Sequence, residues 1–471
     1  MRSRPVKRIA DVRSLRATQF IEDAGPLAHS VRPETYKEIN NFYTTTIYEK
    51  GAEVVRMVHT LVGQEIFRVG MDLYFARHDG EAATVEQFIQ CFADASGRDL
   101  TQFMRWYSQA GTPEVTVSGK FDAARRTYIL ECKQAVPPTP GQPVKEPMVI
   151  PLSLGLVGRN GHDLPLKLST GEPMERDVVV LNKPAARFEF VNIDEDPVIS
   201  INRGFSAPIK LITDLAVTDL AFLAAYDADP FNRWQALQTI SMRLLIDNVA
   251  ALRSGRPTRG DDQLMLALAA ILEDIALEPA FVALALVPPG EGDIAREIGR
   301  DIDPDAIFRA RAGLRAAIGQ QLGPALTTLY DRMALSGDYS PDAQSAGRRA
   351  VRNVAIDLLA ATGKPAVIAR VCRQYETANN MTDRMAALVT LSLHEVPERG
   401  TRSGRFLCTL CFRRTRRGQV VFTPGHHPTA EYARKRTGSD CPSRILSRQS
   451  KPRARADRRV RAGKYHPIQQ G

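Results

Sequence analysis

Apolar residues recur with a helical period over the first 112 residues. Val54, Val55, Val58, Leu61 and Val62 share one face of residues 49–62, and the spacing predicts a helix that stops at Gly63. Ile66, Phe67, Val69, Leu73 and Phe75 continue the pattern toward Gly80. Thr84 with Gln87 predicts a capping box ahead of Phe88, Ile89 and Phe92. Asp99 with Gln102 predicts another ahead of Phe103, Met104 and Trp106.

Between residues 113 and 205 the period changes to two. Strands are predicted over Glu114–Ser118, Thr127–Gln134, Met148–Val157, Leu164–Leu168, Asp177–Leu181, Phe188–Asn192 and Val198–Asn202. Short strands separated by turn residues point to a β-sandwich. The stretch AVPPTPGQPVKEP (135–147) holds five prolines and must cross the surface without regular structure. From residue 206 to about 400 the helical period returns. Helices are predicted over Val217–Tyr226, Phe231–Leu252, Gln263–Glu273, Pro304–Gln321, Pro341–Ala361, Pro365–Glu376 and Met381–Leu393. Breaks fall at Asp229-Pro230, Gly255–Gly260, Pro288-Pro289-Gly290 and Gly323-Pro324. Such lengths and short connections suggest an α-solenoid of the HEAT type. The fold class is thus multidomain α+β, divided as 1–112, 113–205, 206–400 and 401–471.

Charge changes this picture at one end only. The chain of 471 residues has a formal net charge of +10. Residues 401–471 hold 18 Lys and Arg against 3 Asp and Glu, and the other 400 residues hold 45 against 50. A body with net charge −5 gives no electrostatic reason to bind nucleic acid. Cys91, Cys132 and Cys372 stand apart within apolar patterns and read as buried thiols in a reducing compartment. No apolar run approaches the roughly 18 residues of a membrane span, and the basic N-terminus lacks the apolar run of a secretory signal. Cytoplasmic location is the expectation.

Tyr43 and Tyr48 lie among Asn and Thr in a loop before the helix of residues 49–62. Taken alone, a loop tyrosine is more often packing than chemistry. The stretch NNFYTTTIYEKGAEVVRMVHTLVG (40–63), however, resembles the bacterial type of the aminopeptidase N family of zinc aminopeptidases. QFIEDAGPLAHSVRPETY (19–36) and MRWYSQAGTPEVTV (104–117) resemble it too. The resemblance implies the helical end of a thermolysin-like catalytic domain, an Ig-like sandwich and a helical C-terminal domain. NRWQALQTI (232–240) and ETANNMTDRMAAL (376–388) resemble the last of these. It implies hydrolysis of N-terminal residues from peptide substrates, and it gives Tyr48 the role of oxyanion donor. A tyrosine hydroxyl is protonated at neutral pH, so it has a hydrogen to offer to developing negative charge. By the same resemblance Tyr43 lines the pocket for the first side chain of the substrate.

The resemblance also implies zinc, held by HExxH and a further Glu. None of the eight histidines (29, 59, 78, 162, 394, 426, 427, 466) forms HExxH. The match starts at Met1 with sequence resembling the family's region just downstream of the third zinc ligand. The expectation is a portion of the enzyme without metal ligands, inactive alone, with an upstream fragment carrying HExxH as a possible partner. His59 and His78 read as ordinary histidines.

The resemblance stops near Arg399. Three readings of residues 401–471 remain open. RRTRR (413–417) and KPRARADRRVR (451–461) suit a nucleic-acid arm on a non-catalytic scaffold. Cys408, Cys411, His426, His427 and Cys441 make a zinc knuckle of poor spacing. An Arg-, Pro-, Ser- and Gly-rich run is also what an out-of-frame reading of GC-rich DNA yields.

Overall fold

The computed structural model describes residues 3–171, 174 and 176–394. The nucleic-acid arm, the zinc knuckle and the out-of-frame run considered for residues 401–471 lie outside those residues.

The first segment is helical. Helices α1 (Arg4–Asp23), α2 (Gly51–Val62), α3 (Gln64–His78), α4 (Val85–Ser96) and α5 (Arg105–Ser108) follow in order. Gly63, at φ +85°, ends α2 in a conformation that a side chain would strain. The capping box at Thr84 forms as expected, with the Gln87 N–H on the Thr84 hydroxyl and the Gln87 side chain on the Thr84 N–H. The box expected at Asp99 does not form. Asp99 accepts from the Thr101 N–H at 2.8 Å, and the Gln102 side chain instead donates to the carbonyls of Pro147 and Asn182. Those two carbonyls stand at the edge of the sandwich, so a tertiary bond takes the place of the local one.

The sandwich holds strands β1 (Glu114–Asp122), β2 (Thr127–Ala135), β3 (Ile150–Val157), β4 (Val178–Leu181), β5 (Ala185–Val191), β6 (Val198–Ile201) and β7 (Lys210–Thr213). One sheet runs β5-β2-β1-β7 and the other β4-β3-β6. Val115, Val117, Leu130, Cys132 and Phe190 of the first sheet share a core with Leu152, Leu154, Leu156, Val179 and Ile199 of the second. The strand expected at Leu164–Leu168 is a correction. Its ends make single bridges at Asp163 and Leu168, and no ladder forms between them. Pro165 has no N–H to give, so continuous pairing is broken there. Strand β7, by contrast, lies past residue 205, where the strand pattern was expected to end. It pairs parallel to β1.

The remaining described residues form helices α6 (Val217–Tyr226), α7 (Pro230–Arg253), α8 (Asp262–Glu273), α9 (Pro279–Ala285), α10 (Glu291–Ile298), α11 (Pro304–Gln321), α12 (Gly323–Arg332), α13 (Ala343–Ala360), α14 (Pro365–Thr377) and α15 (Met381–Ser392). Asp229, Asp261, Asp303, Asp342 and Asn380 each cap a helix by accepting a backbone N–H of its first turn. Three short helices, α9, α10 and α12, were not expected. Gly323-Pro324 read as a break, yet Pro324 sits in the first turn of α12, where its missing N–H is harmless. Among the described residues no helix is long and apolar enough to cross a membrane.

Candidate active site

The loop before α2 ends in one π-helical turn, Thr46–Lys50, from which α2 continues at Gly51. The Gly51 N–H reaches back five residues to the Thr46 carbonyl. A wide turn of this kind is uncommon inside helical segments and is frequent at functional sites. Here it sends Thr46 and Lys50 inward and Tyr48 outward.

The inward residues are anchored. Lys50, 1% exposed, donates to Asp23 at 2.7 Å and to the Gly111 carbonyl at 3.0 Å. Its ammonium lies 5.9 Å from the centre of the Trp106 ring. Asp23 also accepts from the Gly111 N–H at 2.8 Å and from the Thr112 hydroxyl at 3.0 Å. Burial raises the Asp23 pKa, but Lys50 and these hydrogen bonds outweigh it and hold the carboxyl below its usual range. At the other end of the turn, Glu22 accepts from the Thr45 hydroxyl at 2.6 Å and from the Thr46 N–H at 3.2 Å. Burial pushes Glu22 up as well, and the Thr45 and Thr46 hydrogen bonds bring its pKa below the normal value. One turn into α2, Glu53 takes both arms of Arg8 at 2.5 Å each. Arg8 also donates to the carbonyls of Gly204 and Phe205, which ties α1, α2 and the end of the sandwich together.

Tyr48 and Tyr43, the two residues expected to carry chemistry, come together on the outer side of this frame. Each is 59% exposed. Their rings stack with centroids 6.2 Å apart and planes 17° from parallel. Phe42 stands edge-on to Tyr43 at 5.9 Å, and Tyr36 edge-on to Phe42 at 5.8 Å. The result is a row of four aromatic rings, with Tyr48 at the end borne by the anchored turn. Sequence reasoning named the two tyrosines but not Asp23, Glu22 or Arg8. A signal for Glu22 and Asp23 lay in the quoted stretch QFIEDAG, as one for Lys50 lay in YEKGA.

His59 packs edge-on against Phe67 at 5.1 Å, and burial lowers its pKa. His78 lies 3.2 Å from Glu81. Among the described residues no three His, Cys, Asp or Glu side chains are placed to hold a metal ion. Among the described residues, then, no side-chain group fits the zinc that the resemblance implies.

Comparison with known proteins agrees on all three segments. Residues 6–107 match the Peptidase family M1 domain, 111–214 a domain of unknown function with an Ig-like fold, and 217–408 a domain of unknown function built of ARM repeats. Aminopeptidase N of Caulobacter vibrioides is 46% identical over 389 residues, covering 82% of this chain and 44% of that protein. Aminopeptidase N of Escherichia coli is 39% identical over 395 residues, covering 84% and 45%. The crystal structure of Legionella pneumophila aminopeptidase A in complex with aspartic acid shares the fold, with a TM-score of 0.70 at 23% identity over 86% of this chain and 47% of that one. The chain thus spans a little under half the length of the curated relatives it matches. On its sequence it belongs to the aminopeptidase N family of peptidases.

Proposed function

We propose that this chain carries the oxyanion side of an aminopeptidase site. Tyr48 donates its hydroxyl hydrogen to the substrate carbonyl oxygen as that oxygen gains negative charge. Tyr43 forms a wall of the pocket for the first side chain of the peptide. The observation that supports this reading is the exposed Tyr48 hydroxyl on a π-turn clamped by Lys50–Asp23. A donor helps a transition state most when it is already in place, because no reorganisation is then needed at the moment of reaction. The buried pair behind the turn provides that fixity.

The same reading makes the chain inactive by itself, because the sequence offers no HExxH. A second polypeptide bearing that motif would complete the site. The three cysteines among the described residues are free and buried, in keeping with a reducing cytoplasm as the place of action.

The test is complementation. The purified chain is assayed on an alanyl chromogenic substrate alone, and then mixed with the HExxH-bearing half of a bacterial aminopeptidase N. No turnover is expected alone, and turnover is expected on mixing. Tyr48→Phe should then lower kcat by about 10²–10³. Tyr43→Ala should chiefly raise KM for substrates with a bulky first residue. Restored turnover indifferent to Tyr48→Phe would sink the assignment.

A further inference from the structure

A second feature, among the last described helices, is independent of that reading. A cavity of about 250 Å³ lies between the loop after α12, the face of α13, the end of α14 and the start of α15. Its walls are polar and carry unpaired charge of both signs.

The positive wall is α13. Arg349 and Arg352 are three residues apart and so share one face of the helix. Arg349 is 4% exposed. It gives one hydrogen bond to the Ser340 carbonyl at 2.8 Å, and its guanidinium lies 4.8 Å from the Tyr339 ring. Arg352 gives one to the Tyr330 hydroxyl at 3.0 Å and lies 4.4 Å from that ring. The Nε atoms of both are buried without a hydrogen-bond partner. A guanidinium has five N–H donors, so both retain capacity for an acceptor.

The negative wall is α15. Asp383, 5% exposed, takes one hydrogen bond on each carboxylate oxygen, from Asn353 at 2.9 Å and Asn380 at 3.0 Å. A carboxylate accepts about four, so it too has capacity left. The ion pairs nearby are Arg315 with Asp357 and Arg370 with Asp331. Among the described residues Arg349, Arg352 and Asp383 have none. Asn353, which donates to Asp383, is itself braced by Gln374 at 2.7 Å. Buried charges of opposite sign lower their energy by pairing. Here all three line one cavity with no ion pair among the described residues.

We propose that this cavity binds a small zwitterion, a free α-amino acid, with its carboxylate on Arg349 and Arg352 and its ammonium on Asp383. A simple anion would meet the carboxylate of Asp383, and a simple cation the two guanidiniums. A molecule that carries both charges, one on each side of a single carbon atom, satisfies both walls.

The experiment is calorimetric titration of the full chain with L-alanine, acetate and methylammonium in turn. Alanine should bind saturably, and each single-charge probe at least about tenfold more weakly. Arg349→Gln should weaken alanine about ten- to a hundredfold. Asp383→Asn should weaken alanine but not acetate. Asp383 is also in the first turn of α15, so melting curves of both variants accompany the titrations, and the comparison of the three probes on the unaltered chain needs no variant. Absence of saturable alanine binding up to about 10 mM, or acetate binding as tightly as alanine, overturns the proposal.

Discussion

Tyr48 keeps its hydroxyl in solvent because Thr46 and Lys50, two residues to either side, are buried. The energetic weight lies with Lys50 and Asp23. Removing one partner of a buried pair leaves the other uncompensated, so Lys50→Met should destabilise the chain by about 3–5 kcal/mol in a denaturant titration. The same carboxyl sets a pH dependence. Burial raises the Asp23 pKa and Lys50 overrides it, so the folded value lies below the unfolded one. Its stabilisation is present above the unfolded value, about 3.9, and is lost as pH falls through the folded value. Melting temperatures measured from pH 7 downward should fall more steeply below about pH 4 for the parent chain than for Asp23→Asn. Asp227 has the opposite sign. Burial raises its pKa against the pull of Arg203, so its contribution is present at low pH and lost as pH rises through the folded value. At this scale the YEKGA stretch made the tyrosines legible. The partners of Lys50 were not, because Asp23 and Gly111 are 27 and 61 residues away in the chain.

Helix periods, the Thr84 cap and most strands were legible element by element, since they rest on local spacing and local hydrogen bonds. Two of the misses have local causes too. Pro165 interrupts an apolar alternation that otherwise reads as a strand, and a Gly-Pro pair that reads as a break begins α12. What spacing does not reveal is how closely elements approach. Helix α11 shows this at two glycines. A methyl at Gly319 would lie 2.1 Å from the Leu358 carbonyl oxygen of α13, whereas nothing lies within 4 Å of one at Gly313. Gly319→Ala should therefore destabilise by about 1–3 kcal/mol through overpacking. Gly313→Ala should stabilise by up to about 1 kcal/mol through helix propensity alone. Thermal unfolding of the two variants side by side checks the pair, and equal shifts would contradict the packing described.

Across the whole molecule, the segments are joined by buried polar groups rather than by apolar contact alone. Arg203, after β6, takes both oxygens of Asp163 at 2.7 Å and reaches Asp227, beyond α6, at 2.8 Å. Asn232 of α7 donates to Ser200 and to the Ile201 carbonyl of β6. Arg8 of α1 closes on the same corner through the Gly204 and Phe205 carbonyls. Arg203→Met should strand the fully buried Asp227 and cost about 3–5 kcal/mol. Because the site links sandwich to solenoid, the loss should broaden a single unfolding transition or divide it in two, which calorimetry would show.

The sequence by itself determined the three kinds of segment and the family, and it singled out the two tyrosines as candidates, because each is written in short-range spacing or in a contiguous stretch. Tertiary structure alone decided that a π-turn aims Tyr48 outward, which charges hold that turn, and that Arg349, Arg352 and Asp383 line one cavity without an ion pair among the described residues. Those facts depend on residues far apart in the chain meeting in a low-dielectric interior, where an ion's energy is set by whatever else the fold brings beside it.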